Sequence, residues 1–410
     1  MTERADLVVV GAGTIGGWAS WFARSDGLER VVVLERGLAG LGASSRAAGV
    51  VRAQGGTPAT VALGRWSIDF YHRQPDLLGT DSGFRELGYL ILAQTADDEA
   101  AAHERIAMQR ETGLPTRWLG AAEAAAVSGT LEPSAIRGAT YVETDGCVDP
   151  PRNVRAYSLA MQAGGVELRE RTAFTGLRTE TRADGHRRVV GVDTSAGPIE
   201  TDRVLLTGGP SLQGVGRAAG VRIPVGMVRH TVAVSEPHPA FAESQPMVFD
   251  IEGGLYWRLE EDGLLFGWSN PDEGPGEARA IDWAFYERMR ARLSRLVPAT
   301  QGLGIRKIWA ATIEYVSDHL PIIGPGLAPD GRPIDGLTVA TPSGHGMMWG
   351  PGVARAAADL ALRGETDVCD VTELGLDRFD EHGRSRHSMD PIALPFPTYA
   401  RTDEPAGREA

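Results

Sequence analysis

Two short, uninterrupted apolar runs, Leu7–Val10 and Val31–Leu34, flank a glycine-rich turn and a helical stretch over residues 18–25 that ends at Asp26-Gly27. Four apolar residues in a row, bounded by turn signals, predict a strand buried on both faces, as in a parallel sheet. Strand, glycine turn, helix and strand make a βαβ unit of about 30 residues. A third run, residues 203–207, ends in Gly208-Gly209. Helical spacing recurs over residues 60–78, 97–112, 121–127, 283–296 and 347–362, and over 154–163 behind Pro150-Pro151-Arg152-Asn153. Further strands are expected over residues 84–93, 166–169, 189–194, 225–234, 254–259, 264–269, 308–315 and 337–340. From Asp390 the chain turns Pro-rich and polar and reads as a linker, an arm or a disordered tail.

Parallel-type runs come first, return in the middle and return again near the end, with antiparallel-type strands between them. That order predicts two domains interleaved in sequence. The length of 410 residues gives a prior of two or three domains. Apolar residues at 42% and charged residues at 23% are those of a folded globular chain. The net charge of −13 argues against nucleic acid as a partner, because such a chain repels phosphate backbones. The only two cysteines, Cys147 and Cys369, have no metal-like or framework spacing, which points to a reduced, cytoplasmic chain. Neither a signal peptide nor a membrane span is expected. Glycine is abundant, 52 residues, which implies many positive-φ turns and close approach of backbone to a large ligand.

The strongest chemical signal is Gly11-x-Gly13-x-x-Gly16 between the first strand and its helix, with Thr14 and Ile15 opening that helix. Gly11 permits the tight turn, Gly13 lets the backbone approach a pyrophosphate at the positive helix terminus, and Gly16 lets helix and sheet pack closely. Glu35 ends the second strand, where a carboxylate accepts hydrogen bonds from ribose hydroxyls; Arg36 follows it. This predicts a dinucleotide and leaves FAD and NAD open.

Five segments carry a resemblance that decides between them. They are Gly42-Ala43-Ser44-Ser45-Arg46-Ala47-Ala48-Gly49-Val50-Val51-Arg52, the stretch from Asp145-Gly146 to Pro151, the strand 203–209, Ser317-Asp318-His319-Leu320-Pro321-Ile322-Ile323-Gly324-Pro325, and Ser343-Gly344-His345-Gly346-Met347-Met348 with Pro351. Over about residues 5–385 the chain resembles the FAD-dependent amine and amino-acid oxidoreductases of the D-amino-acid oxidase, glycine oxidase and sarcosine oxidase type. The resemblance implies an α/β plus α+β fold. A Rossmann-like FAD-binding domain would take residues 1–85, 140–222 and 317–388, an antiparallel-sheet substrate domain 86–139 and 223–316, and a tail 389–410. It also implies FAD contacts at Ser44, Ser45, Arg46, Ala48, Gly49, Val50, Ala173, Gly208, Gly209, Gly344, His345, Gly346, Met347 and Met348. A helix opening at Gly346 would aim N–H groups and a dipole at the flavin.

The departures from the family pattern are informative. Arg46 stands where some relatives carry a His that links FAD, and Ala311 where others carry a linking Cys, so non-covalent FAD is expected. Leu265 stands at the oxygen-activating Lys and Met348 at the carboxylate-binding Lys of the sarcosine oxidase branch, which argues against sarcosine oxidation and rapid use of O2. Arg52 matches an arginine that binds substrate carboxylate. Arg258 is a second candidate anchor. Tyr256, Trp257, Trp268, Trp309 and Trp349 are candidates for an aromatic chamber or for ordinary core. Tyr256 and Arg258 share one strand face and Trp257 takes the other. His345 and His319 are candidate catalytic groups or simple loop histidines; no metal site is expected.

The expected reaction is hydride removal from the carbon next to an amine. The alternatives are a flavin 2-hydroxy-acid dehydrogenase and a non-catalytic flavoprotein subunit. The expected partners are a small amine or amino acid and an acceptor, O2 or a quinone or dye; no membrane is expected, and self-association into a homo-oligomer stays open.

Overall fold

The computed structural model describes residues 3–241, 245–277 and 280–392. Its first sheet contains, in spatial order, Phe174–Thr181, Arg187–Thr194, Pro333–Thr341, Val204–Leu206, Leu7–Val10 (β1), Val31–Leu34 (β2) and Glu167–Arg169. β1 pairs in parallel with both neighbours, Val8 opposite Val204 on one side and Val32 on the other. Its four residues are apolar because both faces are covered. Leu7 and Val9 pack into one cluster with Trp18, Trp349 and Val353, whereas Val8 and Val10 pack into another with Leu212 and Ile322. The helix Thr14–Ser25 (α1) lies on the first of these faces beside the helices Pro150–Ala163 and Gly350–Arg363.

The second sheet has eight strands in the order Ile305–Tyr315, Gly226–Ser235, Gly263–Trp268, Leu255–Glu260, Met247–Asp250, Tyr89–Ala93, Gly138–Val142 and Arg117–Gly120. The helix Trp283–Leu296 covers one face, packing on Trp257 and Trp268. The opposite face carries Tyr89, Phe249, Tyr256 and Leu265 and turns toward the loop at Ala48. The expected domain junction at 139/140 falls inside the strand Gly138–Val142.

Three local expectations are corrected. Residues 84–93 are not one strand: Arg85–Glu86 pairs in a small three-stranded sheet and Tyr89–Ala93 in the large one. The break is Gly88, at φ +79°, where a Cβ would lie 2.4 Å from the Tyr141 hydroxyl. The last helix begins at Gly350, with Pro351 in its first turn, so residues 346–349 are turns. The expected tail starts as buried structure, with Asp390 3% and Ile392 1% exposed. The rest of that tail, residues 393–410, lies outside the described residues.

Among the described residues no helix is long and apolar enough to cross a membrane. The Asp318 carboxylate of the Asp-His-Leu-Pro motif is fully buried against Arg378, 2.7 Å away, and fastens the segment after residue 370 to the body of the protein.

Candidate active site

A cavity of about 650 Å3 runs between the two sheets, from Glu35, Arg36 and Ala173 at one end to Tyr89, Phe249, Tyr256 and Ile392 at the other. Gly11 turns at φ +101°, a conformation L side chains rarely adopt. A Cβ on Gly13 would meet Ser44 Oγ at 3.1 Å, and one on Gly16 would lie 1.9 Å from the Gly11 carbonyl oxygen. Gly13 and Ile15 line the cavity; Gly16 does not, and serves the helix–sheet packing.

α1 begins at Thr14 after Gly13, which has no side chain to cap it, and the positive end of its dipole faces the cavity. The N–H of Thr14 donates to Ser44 Oγ at 3.0 Å. The Glu35 carboxylate accepts from the N–H of Ala12 at 3.0 Å and of Gly37 at 2.7 Å, one bond on each oxygen. Each oxygen keeps a lone pair for a ribose hydroxyl. The open helix terminus, the cradle that any Cβ would fill and the acid beside it fit a dinucleotide.

Past the middle of the cavity, Ala48, Gly49 and Val50 form one wall, with Ala311–Glu314 and Gly344–Met348 around them. Among the described residues no hydrogen bond uses the N–H of Gly346, Met347 or Met348, so these donors are available to a ligand. Ser45 is displaced from the expected set: it lies outside the wall, and its N–H donates to the Gly40 carbonyl. Arg46 lines the cavity while its guanidinium donates to the carbonyls of Leu41 and Gly42, closing its own loop. Gly208 and Gly209 line the cavity beside Thr207, whose hydroxyl donates to the Val10 carbonyl at 2.8 Å.

At the far end Arg52 is 2% exposed. It donates through Nη1 to the Gln54 carbonyl and through Nη2 to that of Ile392 at 3.2 Å; Nε has no partner, and no ion pair is formed among the described residues. Tyr256 is 5% exposed, and its hydroxyl lies 2.5 Å from His230 Nε2. His230 Nδ1 lies 2.7 Å from Ser269 Oγ. Burial lowers the His230 pKa to about 4, so the imidazole is neutral at neutral pH. Burial likewise raises the Tyr256 phenol, which stays protonated. His345 lines the cavity and is held down to about 3, by burial first and then by the Arg52 charge. Its Nδ1 lies 2.8 Å from the Ser343 carbonyl, which can only accept, so Nδ1 carries the proton.

Four sequence candidates stand elsewhere. Arg258 donates to the carbonyls of Ala48 and Leu259 and to the Glu260 carboxylate, so it pins the loop and does not face the cavity. Trp309 donates its indole N–H to the Arg46 carbonyl at 2.9 Å. Trp349 is fully buried in the core of the first sheet, stacked 4.2 Å from His345. His319, at φ +61°, is buried, stacks on Tyr315 and lies outside the cavity wall. Of the five aromatic candidates, only Tyr256 reaches the cavity.

Two residues of the cavity that bear on its chemistry carried no sequence signal. His230 is one; alternation along residues 225–234 placed it on a face without naming that face. Glu314 is the other: it lines the cavity, accepts from Thr341 Oγ1 at 3.2 Å, and burial pushes its pKa up to about 7.

A glycine turn on a parallel sheet, opening onto a chamber roofed by an antiparallel sheet, defines a dinucleotide-dependent oxidoreductase. The chain belongs to the family of FAD dependent oxidoreductases, whose model matches residues 6–360. It is 27% identical to 4-methylaminobutanoate oxidase (formaldehyde-forming) of Paenarthrobacter nicotinovorans, over 98% of this chain and 48% of the relative. It is 29% identical to glycine oxidase of Geobacillus kaustophilus, over 89% of this chain and 95% of that one. The crystal structure of L-proline dehydrogenase from P. horikoshii has the same fold, with a TM-score of 0.84 at 24% identity, covering 94% of this chain and all of the other. The chain spans about half the length of several of its curated relatives.

Proposed function

We propose that the protein removes a hydride from the carbon next to the nitrogen of a small amine or amino acid that carries a carboxylate, giving an imine that water hydrolyses. The observation that carries this reading is Arg52: a buried guanidinium, bare of any ion-pair partner among the described residues, in the wall of the cavity. The buried carboxylates of Asp145 and Asp390 act on its charge but neither forms a direct ion pair with it, and a substrate carboxylate in the cavity would supply that pair. Relatives named for methylaminobutanoate and for glycine, both amines bearing a carboxylate, support the same substrate class.

FAD supplies the hydride acceptor. In this proposal Gly11, Gly13, Thr14 and Ile15 hold its pyrophosphate, Glu35 its ribose, and Arg36 and Ala173 flank its adenine end. Ala48–Val50 and Gly344–Met348 hold the flavin, without a covalent bond. Arg52 binds the carboxylate, and the Tyr256 hydroxyl hydrogen-bonds the amine. His230 and Ser269 orient that hydroxyl. A chain located in the cytoplasm and an acceptor that is O2 or a quinone-like molecule complete the reading.

The test is an anaerobic screen of the purified protein for loss of flavin colour. Amino acids or N-methyl amino acids should bleach it and matched 2-hydroxy acids should not. Bleaching by hydroxy acids alone would transfer the site to alcohol oxidation, and bleaching by neither class would leave a non-catalytic flavoprotein.

A further inference from the structure

The far end of the cavity is lined in part by chain that the sequence assigned to a tail. The N–H of Asp390 donates to the Asp318 carbonyl at 2.9 Å, and the N–H of Ile392 donates back to Asp390 Oδ1 at 2.8 Å. Asp318 is itself locked by Arg378, so the segment starts from a rigid post. The Asp390 carboxylate is buried, and the guanidinium charges of Arg52 and Arg105 act on it. Gly56 is a glycine at the point of contact: a Cβ there would lie 2.1 Å from Asp390 Oδ1 and 2.7 Å from Pro391 Cδ. Ile392 then enters the apolar face formed by Tyr89, Phe249 and Tyr256, lines the cavity, and accepts from Arg52 Nη2.

We propose that Asp390–Ile392 is the specificity-determining wall of the substrate end: the Ile392 side chain limits substrate length, and its carbonyl holds one arm of Arg52 so that a carboxylate binds from the cavity side only. The inference rests on the active site proposed above. It adds that residues next to the C-terminal end of the described chain select the substrate. The consequence is a small substrate, because the Ile392 side chain stands in the cavity wall beside Arg52 and Tyr256.

Two variants of the FAD-loaded protein test it. Ile392→Gly removes the side chain from inside, and Gly56→Ala displaces the segment from behind without touching the cavity. Acetate and benzoate serve as carboxylate probes, read by perturbation of the flavin spectrum, and acrylamide as a neutral quencher of flavin fluorescence. In each variant that retains FAD the quenching constant should rise. The ratio of the benzoate to the acetate Kd should fall about ten-fold, the scale set by relieving the clash of one apolar side chain. Should one variant lose FAD, the other decides. Unchanged quenching and an unchanged ratio overturn the wall. If quenching rises while no amine bleaches the wild-type flavin, the wall stands and the amine reading falls.

Discussion

The hydroxyl of Tyr256 and the Nε2 atom of His230 are 2.5 Å apart, and Nδ1 of the same ring lies 2.7 Å from Ser269. Neighbouring strands bring the three together: Tyr256 lies opposite Gly267, and Thr231 opposite Trp268, one residue from His230 and Ser269. A neutral imidazole has one donor and one acceptor, so the ring can hold the phenol in one orientation while Ser269 holds the ring. Tyr256→Phe should lower the rate of flavin reduction about a hundred-fold, because the amine loses the hydroxyl that orients it toward the flavin, with FAD content unchanged. His230→Asn should lose less, because it acts through Tyr256. With the His230 pKa near 4, stopped-flow reduction should show no inflection from this residue between pH 5 and 8. An inflection near 6.5 that His230→Asn abolishes would contradict a neutral ring.

Arg52 and Arg258 should separate cleanly. Arg52→Met removes the proposed carboxylate anchor and should weaken substrate binding by about 2–4 kcal/mol, seen as a raised KM, while FAD stays bound. Arg258→Met frees the Ala48 carbonyl at the flavin loop and should lower FAD content with KM little changed. If Arg52→Met loses the flavin and Arg258→Met raises KM, the two assignments are reversed.

The resemblance puts Arg46 and Ala311 where some relatives carry a flavin-linking His or Cys, and with a non-covalent cofactor acid precipitation should release all yellow colour to the supernatant. Colour retained in a washed pellet would show a covalent bond. Gly16→Ala places a Cβ 1.9 Å from the Gly11 carbonyl oxygen and should yield protein that neither binds FAD nor folds stably.

Glu314 makes the pH dependence of stability testable. Its pKa rises from 4.5 to about 7 because burial penalises the carboxylate. The folded state therefore binds the proton more tightly than the unfolded chain. The contribution is fully present below pH 4.5 and is lost as pH rises through 7, by up to about 3 kcal/mol on the scale of 1.36 kcal/mol per pKa unit. Asp145, also pushed up to about 7 by burial, adds a slope of the same sign, so the difference between wild type and Glu314→Gln isolates Glu314. Denaturant unfolding at pH 5 and pH 8 should show Glu314→Gln gaining on wild type at the higher pH. Parallel losses in both proteins would mean that Glu314 ionises freely.

The dinucleotide turn was legible in the sequence because its physics is local. A strand, three glycines, a helix start and Glu35 lie within about 30 residues, and each is demanded by backbone geometry or by the helix dipole. Double-sided burial of β1 was legible for the same reason, since four apolar residues in a row admit few other readings. Alternation correctly put Tyr256 and Trp257 on opposite faces, but period two does not say which face meets the cavity. Trp257 and Trp268 went under the helix Trp283–Leu296, and Arg258 reached the loop carbonyl of Ala48. The meeting of His230, Tyr256 and Ser269, the burial of Glu314, and the arrival of Ile392 beside Arg52 were decided by tertiary structure alone. They depend on pairings between segments as much as 340 residues apart, and no local propensity encodes a contact whose partner is that distant in the chain.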